Sequence, residues 1–272
     1  MAVAASSPSV WLHADAYERY MGRWSRQVAP PFLNWLDRPP GQRWVDVGCG
    51  TGALSAAILA RSAPAGVTGV DPSEGFLRKA REQLGDRVAL HCASGDALPL
   101  VNGCSDVTVA ALMLNFADRP QAVVSEMARI TASGGVVAAY VWDYGGRMDL
   151  IRGYWEAARE LDPGVDSQDT GPRVALCRPE PLARLFAQCG LVGVATQAVD
   201  VRLHFAHFDD YWQPFLGGQG PAPAHAMALP EARRDRLRDR LRERFAAGEG
   251  VAFELGARAW AVRGTVSARL RC

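Results

Sequence analysis

Five short apolar runs recur along the first half of the chain with helix-length segments between them. That alternation narrows the possible folds more than any other feature. RWVDV (43–47), VTGVD (67–71), VALHCAS (88–94), DVTVAALM (106–113) and GVVAAYVW (135–142) read as strands. They are nearly continuous in apolar residues rather than alternating, as expected where both faces of a parallel sheet are covered. Between them lie TGALSAAILARSA (51–63), SEGFLRKAREQLG (73–85) and DRPQAVVSEMARIT (118–131). The second opens on Ser73, an N-cap residue type, and closes on Gly85. The third starts at Asp118 and places Val123, Val124, Met127 and Ile130 on one side of a helix. A βαβαβ order of this kind predicts a doubly wound sheet with right-handed crossovers.

After residue 145 the rhythm changes. MDLIRGYWEAARELD (148–162) and RPEPLARLFAQCG (178–190) read as helices, and LVGVATQAVDVRLHF (191–205) and VAFELGARAWAVRGT (251–265) as strands. These complete a seven-stranded sheet whose last strand is antiparallel. The stretch 206–250 is too long for a turn and reads as aromatic-bearing loop and helix. Residues 12–36 read as a helical lead interrupted at Pro30–Pro31. At 272 residues the chain affords a sizeable core without disulfide or metal staples. Its six cysteines show no metal-ligand spacing, which predicts reduced thiols, no metal and a cytoplasmic setting.

The first strand ends in VDVGCGTG (45–52), where an acid is followed by glycines at 48, 50 and 52. In a doubly wound sheet, ligands bind beyond the C-terminal strand ends at the switch point. Gly48 and Gly50 let the backbone turn and approach a ligand, and Gly52 lets the next helix pack close. Thr51 and Gly52 are expected to begin that helix, whose free N–H groups favour an anionic ligand group. Dinucleotide sites carry G-x-G-x-x-G, whereas the spacing here is Gly48-x-Gly50-x-Gly52. Asp46, two residues before the first glycine, would face a pyrophosphate poorly and an ammonium group well.

DVGCGTG resembles motif I of the class I S-adenosylmethionine-dependent methyltransferases, small-molecule type, and the agreement continues in register. VTGVDPSEGFL (67–77) is similar to their second-strand motif, and ASGDALPL (93–100) to the third. LMLNF (112–116) resembles the fourth-strand end, and ARITASGGVVAAY (128–140) the passage into strand five. The resemblance implies a Rossmann-like fold, S-adenosyl-L-methionine as cofactor, and methyl transfer to a small molecule through a C, O or N nucleophile. It implies cofactor contacts from Asp46, Gly48, Gly50, Asp71 with Pro72, Gly95, Asp96, Ala97 and Leu112. Asp71 would accept the ribose hydroxyls, and Asp96 and Ala97 would meet the adenine edge. YERYMGRWS (17–25) is similar to a leader that folds over the cofactor, with Tyr20 near the sulfonium and Arg23 on the methionine carboxylate. The implied divisions are a helical lid over 1–38, a cofactor-binding core over 39–145 and the rest of the sheet over 146–268. A substrate cap occupies about 146–180 and 206–250 of that last part, before a tail over 269–272.

The same fold places the ends of strands four and five against the transferable methyl. Asn115, Trp142, Tyr144 and Trp212 are therefore candidate acceptor contacts, and Asp143, Tyr144 and His225 candidate catalytic groups. His204 and His207 share that region. Methyl transfer needs alignment, exclusion of water and a deprotonated acceptor, so a base is needed only for an acceptor that starts protonated. Trp155 and Phe215 read as cap core. RRDRLRDRLRERF (233–245) repeats Leu237, Leu241 and Phe245 every four residues, with acids in ion-pair reach of its arginines. A salt-bridged cap helix is the simpler reading, and an RNA methyltransferase the alternative. A non-enzymatic cofactor-binding protein and a nicotinamide enzyme complete the alternatives. The net charge of +1 argues against a general polyanion binder, and no apolar run approaches a membrane span.

Overall fold

The structure is a computed structural model describing residues 21–165, 172–217, 220–245 and 250–267. Seven strands form one sheet in the order β3-β2-β1-β4-β5-β7-β6. The strands are β1 (Arg43–Val47), β2 (Gly66–Asp71), β3 (Val88–Cys92), β4 (Ser105–Ala111), β5 (Thr131–Trp142), β6 (Leu191–Phe205) and β7 (Phe253–Val266). Pairing is parallel from β3 across to β5, and β7 runs antiparallel to both β5 and β6. Chain order reverses between β1 and β4, so the switch point lies there.

Helices α1 (Arg23–Leu36), α2 (Ala53–Arg61) and α3 (Glu74–Leu84) bury Phe32, Ile58 and Ala80 in one hydrophobic core. Helix α4 (Pro120–Ile130) packs on the opposite face through Val123, Val124, Met127 and Ile130, all buried. Beyond it come α5 (Asp149–Leu161), a short turn α6 (Pro172–Ala175), α7 (Pro179–Gln188), α8 (Phe208–Trp212), α9 (Pro221–Ala228) and α10 (Glu231–Arg244). Helix α7 adds Leu182 and Phe186 to the second core.

Helix α1 corrects one expectation. It runs through Pro30 and Pro31 instead of breaking there. The hydrogen bonds those prolines cannot donate would have gone to the carbonyls of Arg26 and Gln27, and both residues lie on the exposed side of the helix. Val28, Ala29 and Phe32 are fully buried, Phe32 meets Tyr140 edge-on at 4.8 Å, and the Arg263 guanidinium donates to the carbonyls of Trp35 and Leu36 at the helix end. Residues 1–20 lie outside the described residues.

Strand ends also shift. β4 stops at Ala111 because Leu112 takes a left-handed conformation, φ 56°, while its N–H still reaches the Tyr140 carbonyl at 2.8 Å. β3 stops at Cys92, and β5 begins at Thr131 directly after α4. Helix α4 starts at Pro120, so Asp118 lies ahead of it and does not cap it. The β6–β7 ladder continues to Phe205 and Phe253, past the last β5 pair at Trp142 and Ala259. Tyr211 and Phe253 pack against Phe205 on this projecting ribbon, and Phe245 packs against both of them.

Candidate functional site

Beyond the strand ends at the switch point lies a cleft enclosing about 830 Å³, including its open mouth. Such a space is within the usual range for a small-molecule site. Residues after β1, β2, β4 and β5 line it, with Met21 and Ser25 of the α1 approach closing one side. Gly48, Gly50, Asp71 and Leu112 are among the lining residues, as are Trp142 and Tyr144.

The glycine turn explains the sequence pattern. Gly48, Gly50 and Gly52 all have positive φ, at 69°, 54° and 90°. A Cβ at Gly52 would stand 2.5 Å from Leu84 of α3, which is the close helix approach the glycine permits. A Cβ at Gly50 would meet nothing within 4 Å, so bare backbone faces open space there. Helix α2 begins at Ala53 and not at Thr51, because the left-handed Gly52 is its N-cap. No side chain caps that N-terminus, and Ala53 and Leu54 belong to the cleft wall.

The three strand-end acids meet three different fates. Asp71 lines the cleft and is held by two backbone donors, Gly50 N–H on Oδ2 and Ser73 N–H on Oδ1, each at 2.9 Å. Burial raises its pKa, and those two N–H groups oppose the rise. Asp46 is fully buried beneath the turn, with Oδ2 accepting from Ser55 Oγ at 2.7 Å and Oδ1 without a partner. Desolvation pushes it up to about 7 despite the Ser55 hydrogen bond. Asp96 does not line the cleft. It accepts from Ser94 Oγ at 2.6 Å and from Arg119 at 2.6 and 3.1 Å, and these bonds lower its pKa. Of the three acids only Asp71 is among the cleft-lining residues; β3 ends at Cys92 and the chain then turns Asp96 toward the start of α4. Gly95, Ala97 and exposed Pro72 likewise lie outside the cleft wall.

Arg23 is also redirected. Its guanidinium donates to Asp210 Oδ1 at 2.6 Å and to the Asp210 carbonyl at 3.0 Å, and it stacks over Trp24 at 4.0 Å. It lines a separate surface depression with His207 and Asp210. Tyr20 lies outside the described residues.

Across the cleft the wall is aromatic: Phe116, Tyr140, Trp142 and Tyr144, with Phe116 and Tyr144 edge-to-face at 6.4 Å. Asp71 is the one charged side chain among the described lining residues. A wall with one carboxylate and no cation suits a cationic ligand and opposes a pyrophosphate.

Sequence comparisons agree with this geometry. The family described as methyltransferase domain matches residues 45–139. A ubiquinone biosynthesis O-methyltransferase of Aromatoleum aromaticum is 32% identical over 174 residues, covering 61% of this chain and 71% of that protein. A demethylmenaquinone methyltransferase of Desulfitobacterium hafniense is 30% identical over 173 residues, covering 57% and 68%. The chain belongs to the class I S-adenosylmethionine-dependent methyltransferases. The methyltransferase also shares its fold with phosphoethanolamine N-methyltransferase 2 of Haemonchus contortus, solved with S-adenosyl-L-methionine. The TM-score is 0.55 at 14% identity, covering 94% of this chain and 57% of that one.

The other expected acceptor and catalytic residues of the methyltransferase are not brought to the cleft. Asp143 closes a turn, its Oδ2 accepting from Arg147 N–H at 3.0 Å. His225 sits on α9 with Nδ1 2.7 Å from the Tyr154 hydroxyl, and its pKa is lowered by burial. Trp212 is buried against Phe215, and Trp155 against Tyr154, so these rings form cap core. Chain position drew Asp143, His225 and Trp212 toward the site, whereas Trp155 and Phe215 take the cap-core places the sequence predicts. Asn115 is buried beside wall residues Met113 and Phe116 and is not itself in the wall.

His204 is exposed, and His207 caps α8 by accepting from Asp210 N–H. Helix α10 forms as the sequence predicts, with Leu237 and Leu241 fully buried. Arg240 and Arg244 pair with Glu160 of α5, and Arg244 also with Glu156, while Arg233 and Arg242 face Asp162 and Asp209.

Cys49, Thr51, Leu54, Phe76, Met113 and Phe116 line the cleft without having been assigned to it. All stand inside the quoted motifs or directly after them, so position relative to a strand end was the available signal.

Proposed function

We propose that the cleft holds S-adenosylmethionine along the ends of β1 and β2 and a small, largely apolar acceptor against the rings after β4 and β5. The observation that carries this reading is the division of one wall into a backbone-and-carboxylate half and an aromatic half. When bound, the cofactor supplies an electrophilic methyl group. Asp71, already oriented by Gly50 and Ser73, has lone pairs left for two hydroxyls. The bare backbone of Gly48 and Gly50 admits close approach, and the α2 N-terminus offers the partial positive charge that suits a carboxylate. The unpartnered Asp46 oxygen lies under the same turn and favours a cation above it.

Tyr140, Trp142 and Tyr144 align the acceptor and exclude water. The described wall offers no histidine or lysine, and its rings contribute alignment. Helices α5 and α8–α10 act as a buttress for the β6–β7 ribbon rather than as the acceptor's wall. Five described cysteines are free, which supports a reducing, cytoplasmic setting. Among the described residues no helix is long and apolar enough to cross a membrane.

Calorimetric titration with S-adenosylmethionine tests the cofactor half. Wild type is expected to bind, and Asp71→Ala to bind far more weakly. Equal binding by the two proteins would refute this assignment of the cleft.

A further inference from the structure

Where α5, α9 and α10 meet, a second cavity encloses about 660 Å³, including its open mouth, and shares no described residue with the cleft. That space is also within the usual range for a small-molecule site. Its described wall has an apolar part and a polar part. Ala158 and Leu237 are buried there, Val165 and Leu229 are half-buried, and Leu161 is 45% exposed at the end of α5. Leucine and valine side chains left open to water in this way gain from an apolar ligand.

The polar part is not satisfied from within. Helix α10 pairs Arg238, Arg240, Arg242 and Arg244 with acids. Arg236, on the cavity wall, makes no hydrogen bond or ion pair among the described residues. Arg233 lies three residues earlier on the same helix face and reaches Asp162 Oδ2 only at 3.6 Å, beyond hydrogen-bond distance. His225 completes the set. Its Nδ1 is engaged by the Tyr154 hydroxyl at 2.7 Å, so Nε2 is the ring's remaining polar atom. Burial lowers the pKa of that ring and keeps it uncharged near neutral pH.

Two guanidinium groups, one carboxylate and an uncharged imidazole give the described wall a net single positive charge. A single negative charge balances it. A carboxylate has the planar, two-oxygen shape that a guanidinium fork matches. A dianion would bring its second charge toward Asp162, and a cation would be repelled by both arginines.

We propose that this cavity is a second ligand site, for a small monocarboxylic acid whose anion meets Arg236 and Arg233 and whose apolar body lies on Leu229, Leu237 and Ala158. Such a site goes beyond the methyl-transfer reading and stands whatever fills the cleft.

Octanoate is the probe, titrated calorimetrically into the full chain near neutral pH. Octanamide has nearly the same shape without the charge, butanoate keeps the charge on a shorter chain, and octyl phosphate carries a second negative charge. Octanoate is expected to bind saturably, about tenfold or more tighter than octanamide or butanoate, and tighter than octyl phosphate. Arg236→Gln replaces an exposed, unpaired side chain, so the fold should persist while octanoate weakens about fivefold or more. Arg234→Gln makes the same charge change outside the described wall and should keep octanoate affinity within about twofold. Equal weakening by the two substitutions would trace binding to the general charge of α10 and overturn the site. So would the absence of saturable octanoate binding, binding that ignores Arg236→Gln, or octanamide or butanoate binding as tightly. Tighter binding of octyl phosphate would overturn the monocarboxylate assignment. Failure of the wild type to bind S-adenosylmethionine refutes the cleft assignment and leaves this site standing.

Discussion

The two halves of the cleft are built from different materials. After β1 and β2 the wall is mainly main chain, turned by glycines and braced by a carboxylate that accepts two backbone N–H groups. After β4 and β5 it is mainly side chain, four aromatic rings on well-paired strand ends. A main-chain wall cannot be altered without disturbing the turn, whereas a ring can be exchanged while the strand beneath keeps its ladder. The first half therefore suits one unchanging ligand, and the second allows the acceptor to be chosen by side chains.

Four substitutions would break or sharpen that contrast. The largest effect is expected at Asp46, beneath the main-chain half. Its folded-state pKa is raised to about 7, so the folded protein holds this proton more tightly than the unfolded chain does. The resulting penalty is absent below about pH 4, grows as the pH rises, and is complete above about pH 7. Urea unfolding across that range should show Asp46→Asn removing a loss of up to roughly 4 kcal/mol in wild type. Parallel pH profiles for the two proteins would disprove the buried, unpaired state of this acid.

Asp71→Ala comes next. Losing two charge-assisted hydrogen bonds should weaken S-adenosylmethionine by about 3 kcal/mol or more, at least a hundredfold, in calorimetry. A loss below tenfold would mean that the braced carboxylate is a turn-holder only. Gly52→Ala tests the backbone half without touching an acid. Its left-handed φ and the Leu84 contact predict about 1–3 kcal/mol of lost stability in denaturant unfolding. An unchanged midpoint would show that α2 and α3 yield easily.

The smallest effect is expected from Arg23→Gln. The Arg23–Asp210 pair is partly exposed, so its loss should cost about 1 kcal/mol or less and leave S-adenosylmethionine affinity within about threefold. A tenfold loss of affinity would return Arg23 to the cofactor carboxylate, where its place in YERYMGRWS first suggested it.

Much of the main-chain half was legible before any coordinates. Glycines at 48, 50 and 52 after a valine-rich strand point to positive φ and a sharp turn, and Asp71 ends the neighbouring strand one helix later. Helix caps followed local rules too, as Ser73 does in accepting from Phe76 N–H. The aromatic half was legible only in part. Trp142 and Tyr144 could be placed because β5 delivers them to its own end. Trp212 and His225 could not, since sixty or more residues and a projecting ribbon separate them from it.

From its sequence alone the chain determined the alternation of strands and helices in its first half, the glycine turn and the chemistry of its ligand class, because hydrophobic period and backbone conformation are local properties. Tertiary structure decided which polar groups share a wall. Asp46, Asp71 and Asp96 look alike in the sequence, yet one is sealed under the turn, one faces the cleft and one is drawn to Arg119. It likewise decided that Arg23 joins Asp210 and that α1 survives two prolines, since partners and solvent exposure belong to the packed molecule and not to any stretch of chain.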